Sequence, residues 1–237
     1  MLEIKNFTKK YSKNKIAVKD LSLTVESGDI YAFIGHNGAG KTTTIKSIVG
    51  IQDFDEGEIL IDHLSIKTQT IKAQKLMAYI PDNPDIYTHL TGLQYLNFIA
   101  DIYQIDTDTQ NQKIKKYAEL FEIETVLNDL ISSYSHGMKQ KLVIISALIH
   151  DPKLLVLDEP FVGLDPKASL TLKQIMKEIC ANGSAIFFST HVLEVAEKLC
   201  NKVAIIKEGQ LIASGTMSEV RGNESLEDIF MELTDHE

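Results

Sequence analysis

Ile30-Tyr31-Ala32-Phe33-Ile34 runs straight into Gly35-His36-Asn37-Gly38-Ala39-Gly40-Lys41-Thr42, and no other junction constrains the chain as much. Five apolar positions in succession suit a strand covered on both faces. The spacing G-x-x-x-x-G-K-[ST] then lets consecutive backbone N–H groups point into one concavity. The helix that starts there adds partial positive charge, and Lys41 adds a full one. Asn37, Gly38, Ala39, Gly40, Lys41, Thr42 and Thr43 are therefore the candidate phosphate-binding residues, with the Thr42 hydroxyl placed for a phosphate-bound Mg²⁺. Such a loop works only between a strand and a helix, which favours an α/β fold.

The rest of the chain agrees. Met77–Ile80, Leu154–Asp158, Ala185–Ser189 and Val203–Ile206 are further continuous apolar runs, and Leu21–Val25 alternates as a half-buried strand would. Helical patterns follow at 41–49, 167–181 and 192–200. Asp165-Pro166 supplies an N-cap and a first-turn proline, Asn182-Gly183 a stop, and Lys207-Glu208-Gly209-Gln210 a hairpin turn. Strand–helix alternation predicts a mainly parallel sheet. Residues 84–151 carry only helical periodicity. Thr91-Gly92-Leu93-Gln94 opens a helix with Leu93, Leu96, Ile99 and Tyr103 on one side, and helices are expected over 114–121 and 137–150.

A phosphate-bound metal needs a carboxylate. Leu154-Leu155-Val156-Leu157-Asp158 places Asp158 at the C-terminal edge of a buried strand, where open α/β sheets bind ligands. Glu159 follows, placed to polarise an attacking water.

With these residues the chain resembles the ATP-binding subunits of ABC transporters over residues 2 to about 220. Tyr134-Ser135-His136-Gly137-Met138-Lys139-Gln140 is similar to the family's LSGGQ motif, Asp158-Glu159-Pro160 to its Walker B ending, Gly163-Leu164-Asp165-Pro166 to its D-loop and Ser189-Thr190-His191 to its switch histidine. The resemblance implies a P-loop NTPase core with a mainly parallel sheet, a small antiparallel β subdomain and an inserted α-helical subdomain. It divides the chain into 1–83 (core with P-loop and antiparallel region), 84–151 (helical subdomain with the LSGGQ-like motif), 152–220 (second part of the core) and 221–237 (a helical tail).

It also implies roles. Tyr11 stacks on adenine; Glu159 and His191 act in catalysis; Thr42 and Asp158 hold Mg²⁺; Ser135 and Gly137 contact the γ-phosphate of ATP bound to an opposing subunit, in a head-to-tail dimer around two ATP. Asp82 stands where the family usually has Gln, so its carboxylate is expected to reach the metal through water or a loop shift. Within the LSGGQ-like motif Tyr134, His136 and Met138 depart from the pattern, and His136 brings an imidazole near bound phosphate. This motif, with Asp82-Asn83-Pro84, is similar to exporter-type subunits.

Composition narrows the partners. With 24 basic and 33 acidic residues the net charge is −9, against non-specific binding to nucleic acid, although Lys9, Lys10, Lys13 and Lys15 cluster. Cys180 and Cys200 form no metal framework. No apolar run approaches the roughly 18 residues of a membrane span, and the N-terminus lacks a leader pattern. A peripheral location on the cytoplasmic face of the cell membrane, with a separate membrane-spanning subunit and a second ATP-binding subunit as partners, follows from the resemblance. The other reading is a soluble ABC-type ATPase acting on nucleic acid or ribosomes; one P-loop, no heptad run and no cysteine cluster weigh against it. Ile86, Tyr87, Leu90 and Tyr95, outside the helix stripe, are expected to form the docking surface.

Overall fold

A computed structural model describes residues 1–12 and 15–235. Lys13 of the lysine cluster and the last two residues of the expected tail lie outside the described residues.

In chain order the first half holds β1 (Leu2–Ser12), β2 (Lys15–Val25), β3 (Ile30–Ile34), α1 (Lys41–Ile48), β4 (Glu56–Ile61), β5 (Leu64–Ser65), α2 (Thr70–Gln74) and β6 (Met77–Ile80). Three longer helices follow: α3 (Gly92–Ile102), α4 (Thr107–Leu120) and α5 (His136–Leu148). The chain then alternates through β7 (Leu154–Asp158), α6 (Pro166–Ala181), β8 (Ala185–Thr190), α7 (Leu193–Leu199) and β9 (Lys202–Lys207). It ends with β10 (Gln210–Thr216), α8 (Met217–Arg221) and α9 (Leu226–Asp235).

Two sheets result. The larger has the order β10-β9-β3-β8-β7-β6, parallel except for the antiparallel β10 edge. The smaller, β2-β1-β4-β5, is antiparallel. Alternation along the parallel strands builds two cores. Ala32, Ile34, Leu155, Leu157, Ile186 and Phe188 face the helical side, with α3, α4 and α5. Tyr31, Phe33, Leu154, Val156 and Phe187 face the antiparallel sheet and α1. Complete burial of each large side chain here contributes roughly 1.5–3 kcal/mol, which is why these strands read as uninterrupted apolar runs.

Local chemistry sets the boundaries. Thr91 and Gln94 form the expected capping box of α3. Asp165 accepts from the Ala168 N–H at 2.8 Å and starts α6. Glu208 and Gly209, both at positive φ, turn β9 into β10 as a tight hairpin.

Three expectations need correction. Two long strands occupy most of residues 2–25, well beyond the short alternating stretch over 21–25. Bulges between Ile4 and Phe7 and between Phe7 and Lys9 break the period-two pattern there. α4 starts at Thr107, capped by Asp106, and its first two turns are too polar to show periodicity. Tyr95 is not a docking residue: it is 8% exposed and belongs to the core, while Ile86 and Leu90 pack against the same core. α3 buries Gly92, Tyr95, Leu96 and Ala100, and the expected Leu93 and Ile99 pack partly buried against the same core, so the buried face is the expected one widened to take in Tyr95. Tyr87 remains exposed, with its ring 5.8 Å from that of Phe98.

Candidate nucleotide site

The C-terminal ends of β3 and β7 open on one cleft of about 470 Å³. Its lining includes Tyr11, Asn37, Gly38, Gly40, Lys41, Thr42, Thr43, Asp82, Asp158 and Glu159. Residues separated by more than a hundred positions thus converge on the edge where parallel sheets bind ligands. Ala39, by contrast, is buried beneath the loop; its N–H donates to the His36 carbonyl and its carbonyl accepts from Gly209.

The loop's shape is written into its own backbone. Gly40 takes φ 108°, and a β-carbon there would lie 2.8 Å from the Ala17 carbonyl oxygen, so only glycine fits. α1 has no side-chain cap, which leaves its first N–H groups for an anion. Lys41 is buried, and its ammonium donates to the carbonyls of Gly35 at 2.6 Å and His36 at 3.3 Å. Burial lowers its pKa, opposed by the carboxylates of Glu159 and Asp158. A cation short of solvation, facing the cleft, is built to receive phosphate oxygens.

Asp158 is almost fully buried at the end of β7. One carboxylate oxygen accepts from the Ser189 hydroxyl at 2.5 Å; the other has no hydrogen-bond partner. An orphaned anionic oxygen at such depth is costly unless a cation or donor meets it. No group of three His, Cys, Asp or Glu side chains that could hold a metal exists among the described residues. The donor set of Asp158 and the Thr42 hydroxyl, completed by phosphate oxygens and water, suits Mg²⁺.

Glu159 takes φ 48°, a left-handed conformation that costs a non-glycine residue on the order of 1–3 kcal/mol. Its N–H donates to the Ser189 hydroxyl at 3.1 Å, and its carboxylate lies 2.9 Å from His191 Nδ1 and accepts from the His191 N–H at 3.4 Å. The two expected catalytic residues therefore touch. Ser189, which sequence reasoning missed, fixes both acids; its one signal is a polar residue closing an otherwise apolar strand.

Tyr11 stands at the cleft's far end, 55% exposed. Its hydroxyl is 3.2 Å from Thr43 Oγ1 and donates to Gln52 Oε1 at 3.1 Å. Hydrogen bonding to Thr43 holds the phenol below its usual pKa. The ring is anchored at its tip and leaves a face for a base. Lys15, Ile16, Ala17 and Glu208 also line the cleft, with no signal in the sequence. Nor was it evident that Phe230 of α9 packs on the loop, its ring 4.9 Å from that of His36.

Ser135 and Gly137 are not among the residues lining this cleft. Ser135 caps α5, its hydroxyl oxygen accepting from the Met138 N–H at 3.3 Å, which leaves its own proton to donate outward. Asp165 of the D-loop-like stretch pairs with Lys141 at 2.7 Å, and a β-carbon at Gly163 would meet the His136 ring.

The family model described as "ABC transporter" matches residues 18–162. The chain is 34% identical over 239 aligned residues, 99% of this chain and 96% of the relative, to the ABC-type transporter ATP-binding protein EcsA of Bacillus subtilis. It is 31% identical to the Nod factor export ATP-binding protein I of Burkholderia lata, over 90% of this chain and 70% of that one. A solved ATP-binding subunit of an ABC transporter superposes with a TM-score of 0.94 at 33% identity, covering 98% of this chain and 99% of that one. Loop, acids, fold and relatives agree: the chain belongs to the ATP-binding subunits of the ABC transporter family, the ABC-type ATPases.

Proposed function

We propose that the chain binds ATP with Mg²⁺ in the cleft, hydrolyses it as a head-to-tail dimer, and drives export by a separate membrane-spanning subunit. One observation carries the chemistry: an under-solvated Lys41 ammonium, an Asp158 oxygen without a partner and the Glu159 carboxylate share one cleft. Lys41 and the N–H groups of Gly38, Gly40, Thr42 and Thr43 bind the phosphates, with Asn37 and Ala39 completing the loop. Tyr11 offers its ring to adenine. Asp158 and Thr42 would hold Mg²⁺, which offsets phosphate charge when bound, and Asp82 faces the same space.

Glu159 acts as general base on the attacking water. Its carboxylate, now held by His191, is free to accept a water proton once His191 turns to the γ-phosphate. The dimer follows from Ser135 and Gly137: donors at the start of α5, absent from this chain's own cleft, serve the nucleotide of a second copy.

Peripheral attachment at the cytoplasmic face of a membrane rests on two further points. Among the described residues no helix is long and apolar enough to cross a bilayer. Tyr87, Phe98 and Ile102, on the segment that follows Asp82, leave exposed apolar side chains, with the Tyr87 and Phe98 rings in contact, the kind of patch that seats a partner. Export is supported by the name of the Nod factor relative and by the exporter-like motif.

Glu159→Gln tests the chemistry. Turnover should fall by about 10²–10⁴-fold while ATP affinity holds, and the ATP-bound dimer should persist in light scattering. Turnover within tenfold of the parent removes Glu159 as the base.

A further inference from the structure

The backbone that carries Glu159 leaves it through an irregular path. Glu159 has φ 48° and Gly163 φ 80°, two left-handed residues within five positions. Inside the loop, the Val162 N–H donates to the Glu159 carbonyl at 3.1 Å and the Leu164 N–H to the Phe161 carbonyl at 3.4 Å. Turns this short do not fix a loop's place against the rest of the molecule. Pro160 is buried, and Phe161 and Leu164 pack against the core, Phe161 with its ring 6.1 Å from that of Phe188, which leaves the exposed tip at Val162 and Gly163 to be held from outside.

The start of α5 meets it. A β-carbon on Gly137 would lie 2.9 Å from the Gly163 carbonyl oxygen, so helix and loop backbones abut. A β-carbon on Gly163 would lie 2.5 Å from His136 Cδ2 and 2.8 Å from Nε2. The imidazole thus occupies the space beside the Gly163 α-carbon. One turn on from Gly137, Lys141 pairs with Asp165 at 2.7 Å, and its side chain is only 13% exposed. Loop and helix are joined at both ends of this contact: a ring against Gly163 and an ion pair on Asp165.

We propose that His136 is a positioning residue for hydrolysis: its ring, packed on Gly163, holds the tip of the Pro160–Asp165 loop against α5 and so acts with Ser189 in fixing where Glu159 stands. The assignment rests on the reading of Glu159 as the base. Glycine at position 136 would remove the ring that meets Gly163, and the tip of the loop would lose its contact with α5 while Phe161, Leu164 and the Lys141–Asp165 pair hold its flanks. Because α5 also presents Ser135 and Gly137, any shift of that helix is passed through the ring to the loop that ends in Glu159. His136 does this by bulk rather than by charge.

The experiment uses the purified full chain with His136→Ala and His136→Phe, and Glu159→Gln in parallel. Hydrogen exchange of the 161–165 amides is followed without nucleotide; kcat and ATP affinity are then measured. His136→Ala should speed exchange at Val162–Leu164 by about three- to tenfold and lower kcat by about five- to twentyfold, since small misplacements of a catalytic group are costly. ATP affinity should stay within twofold. His136→Phe, which keeps a flat ring but makes no hydrogen bond, should recover both values to within threefold.

Unchanged exchange in His136→Ala overturns the proposal, whatever its turnover. So does a Phe variant as impaired as the Ala variant, which would mark His136 as a hydrogen-bonding contact to phosphate. If Glu159→Gln turns over normally the base assignment falls, and with it the route from His136 to hydrolysis, while the exchange result still decides the tether. Lys141→Met adds a check: two latches on one loop give losses in kcat that fail to multiply in the double variant, and multiplying losses overturn the shared loop.

Discussion

Ser189→Ala removes one hydroxyl and disturbs both acids. Ser189 is fully buried, donates to Asp158 at 2.5 Å and accepts from the Glu159 N–H at 3.1 Å. A hydrogen bond to a carboxylate contributes roughly 1.5–3 kcal/mol, and an N–H left without a partner costs about 1–3 kcal/mol. Glu159 borders the cleft, so water can reach its N–H and the second figure falls at its lower end. The change in volume is one oxygen atom, so no cavity cost is added. The sum is about 3 kcal/mol, and in a chain of this length each kcal/mol moves the unfolding midpoint by roughly 2–4 °C, or about 6–12 °C in all. Calorimetry or near-ultraviolet circular dichroism of the nucleotide-free chain reads the shift. Turnover should fall as well, because Glu159 loses the anchor of its N–H. A midpoint lowered by less than about 3 °C would mean that the carboxylate and the strained Glu159 backbone are held by something else, and the account of Ser189 would be wrong.

Lys41→Ala removes the one full positive charge among the loop's ligands and should raise the ATP dissociation constant by at least about thirtyfold, or 2 kcal/mol, in titration calorimetry; a change under threefold contradicts the site. Tyr11→Ala should weaken ATP and GTP alike by about 1–3 kcal/mol, the scale of base stacking, and a selective loss of one nucleotide would show that Tyr11 reads the base edge. Asp82→Asn should at least double the Mg²⁺ concentration needed for half-maximal turnover; an unmoved Mg²⁺ curve makes Asp82 a surface acid. Tyr87→Glu should leave folding and ATP binding intact yet abolish co-purification with the membrane subunit from native cells. Full co-purification places the docking surface elsewhere.

Much of the parallel sheet could be read from the chain because strands covered on both faces leave unbroken apolar runs, and the turn chemistry at Glu208-Gly209 and Asp165-Pro166 is local. The antiparallel sheet was harder. Asn6 at φ 49° and the bulges after Ile4 and Phe7 scramble alternation in β1, so its strand character comes from pairing with β2 and β4, which no window of sequence contains. Tyr95 misled for a different reason. The apolar arc of α3 runs from Leu93 through Leu96 and Ile99 to Tyr95, Ile102 and Phe98, so periodicity gives the direction of the buried face but not where its edge falls, and Tyr95 lies just inside that edge. In the site, the phosphate loop and Asp158-Glu159 are short contiguous patterns with a single chemical use. Glu208 and Phe230 reach the site only through folding, and their neighbours in sequence carry no trace of it, while Ser189 is marked only as a polar residue near the end of an apolar strand.

The strand that delivers the phosphate loop lies between β8 and β9, pairing with both over its length. Both neighbours lie beyond residue 184, whereas the loop is complete by residue 42. A ribosome therefore emits the nucleotide-binding motif long before either strand that flanks β3 exists. Until then Ile30–Ile34 is an apolar segment with two open edges, a substrate for chaperones and a hazard for aggregation. The stretch matched by the family model, 18–162, contains neither neighbour, so both strands that pair with β3 lie beyond the span that identifies the family. The nucleotide loop is therefore laid down first and given its supporting strands only once residues 185–207 have joined the sheet.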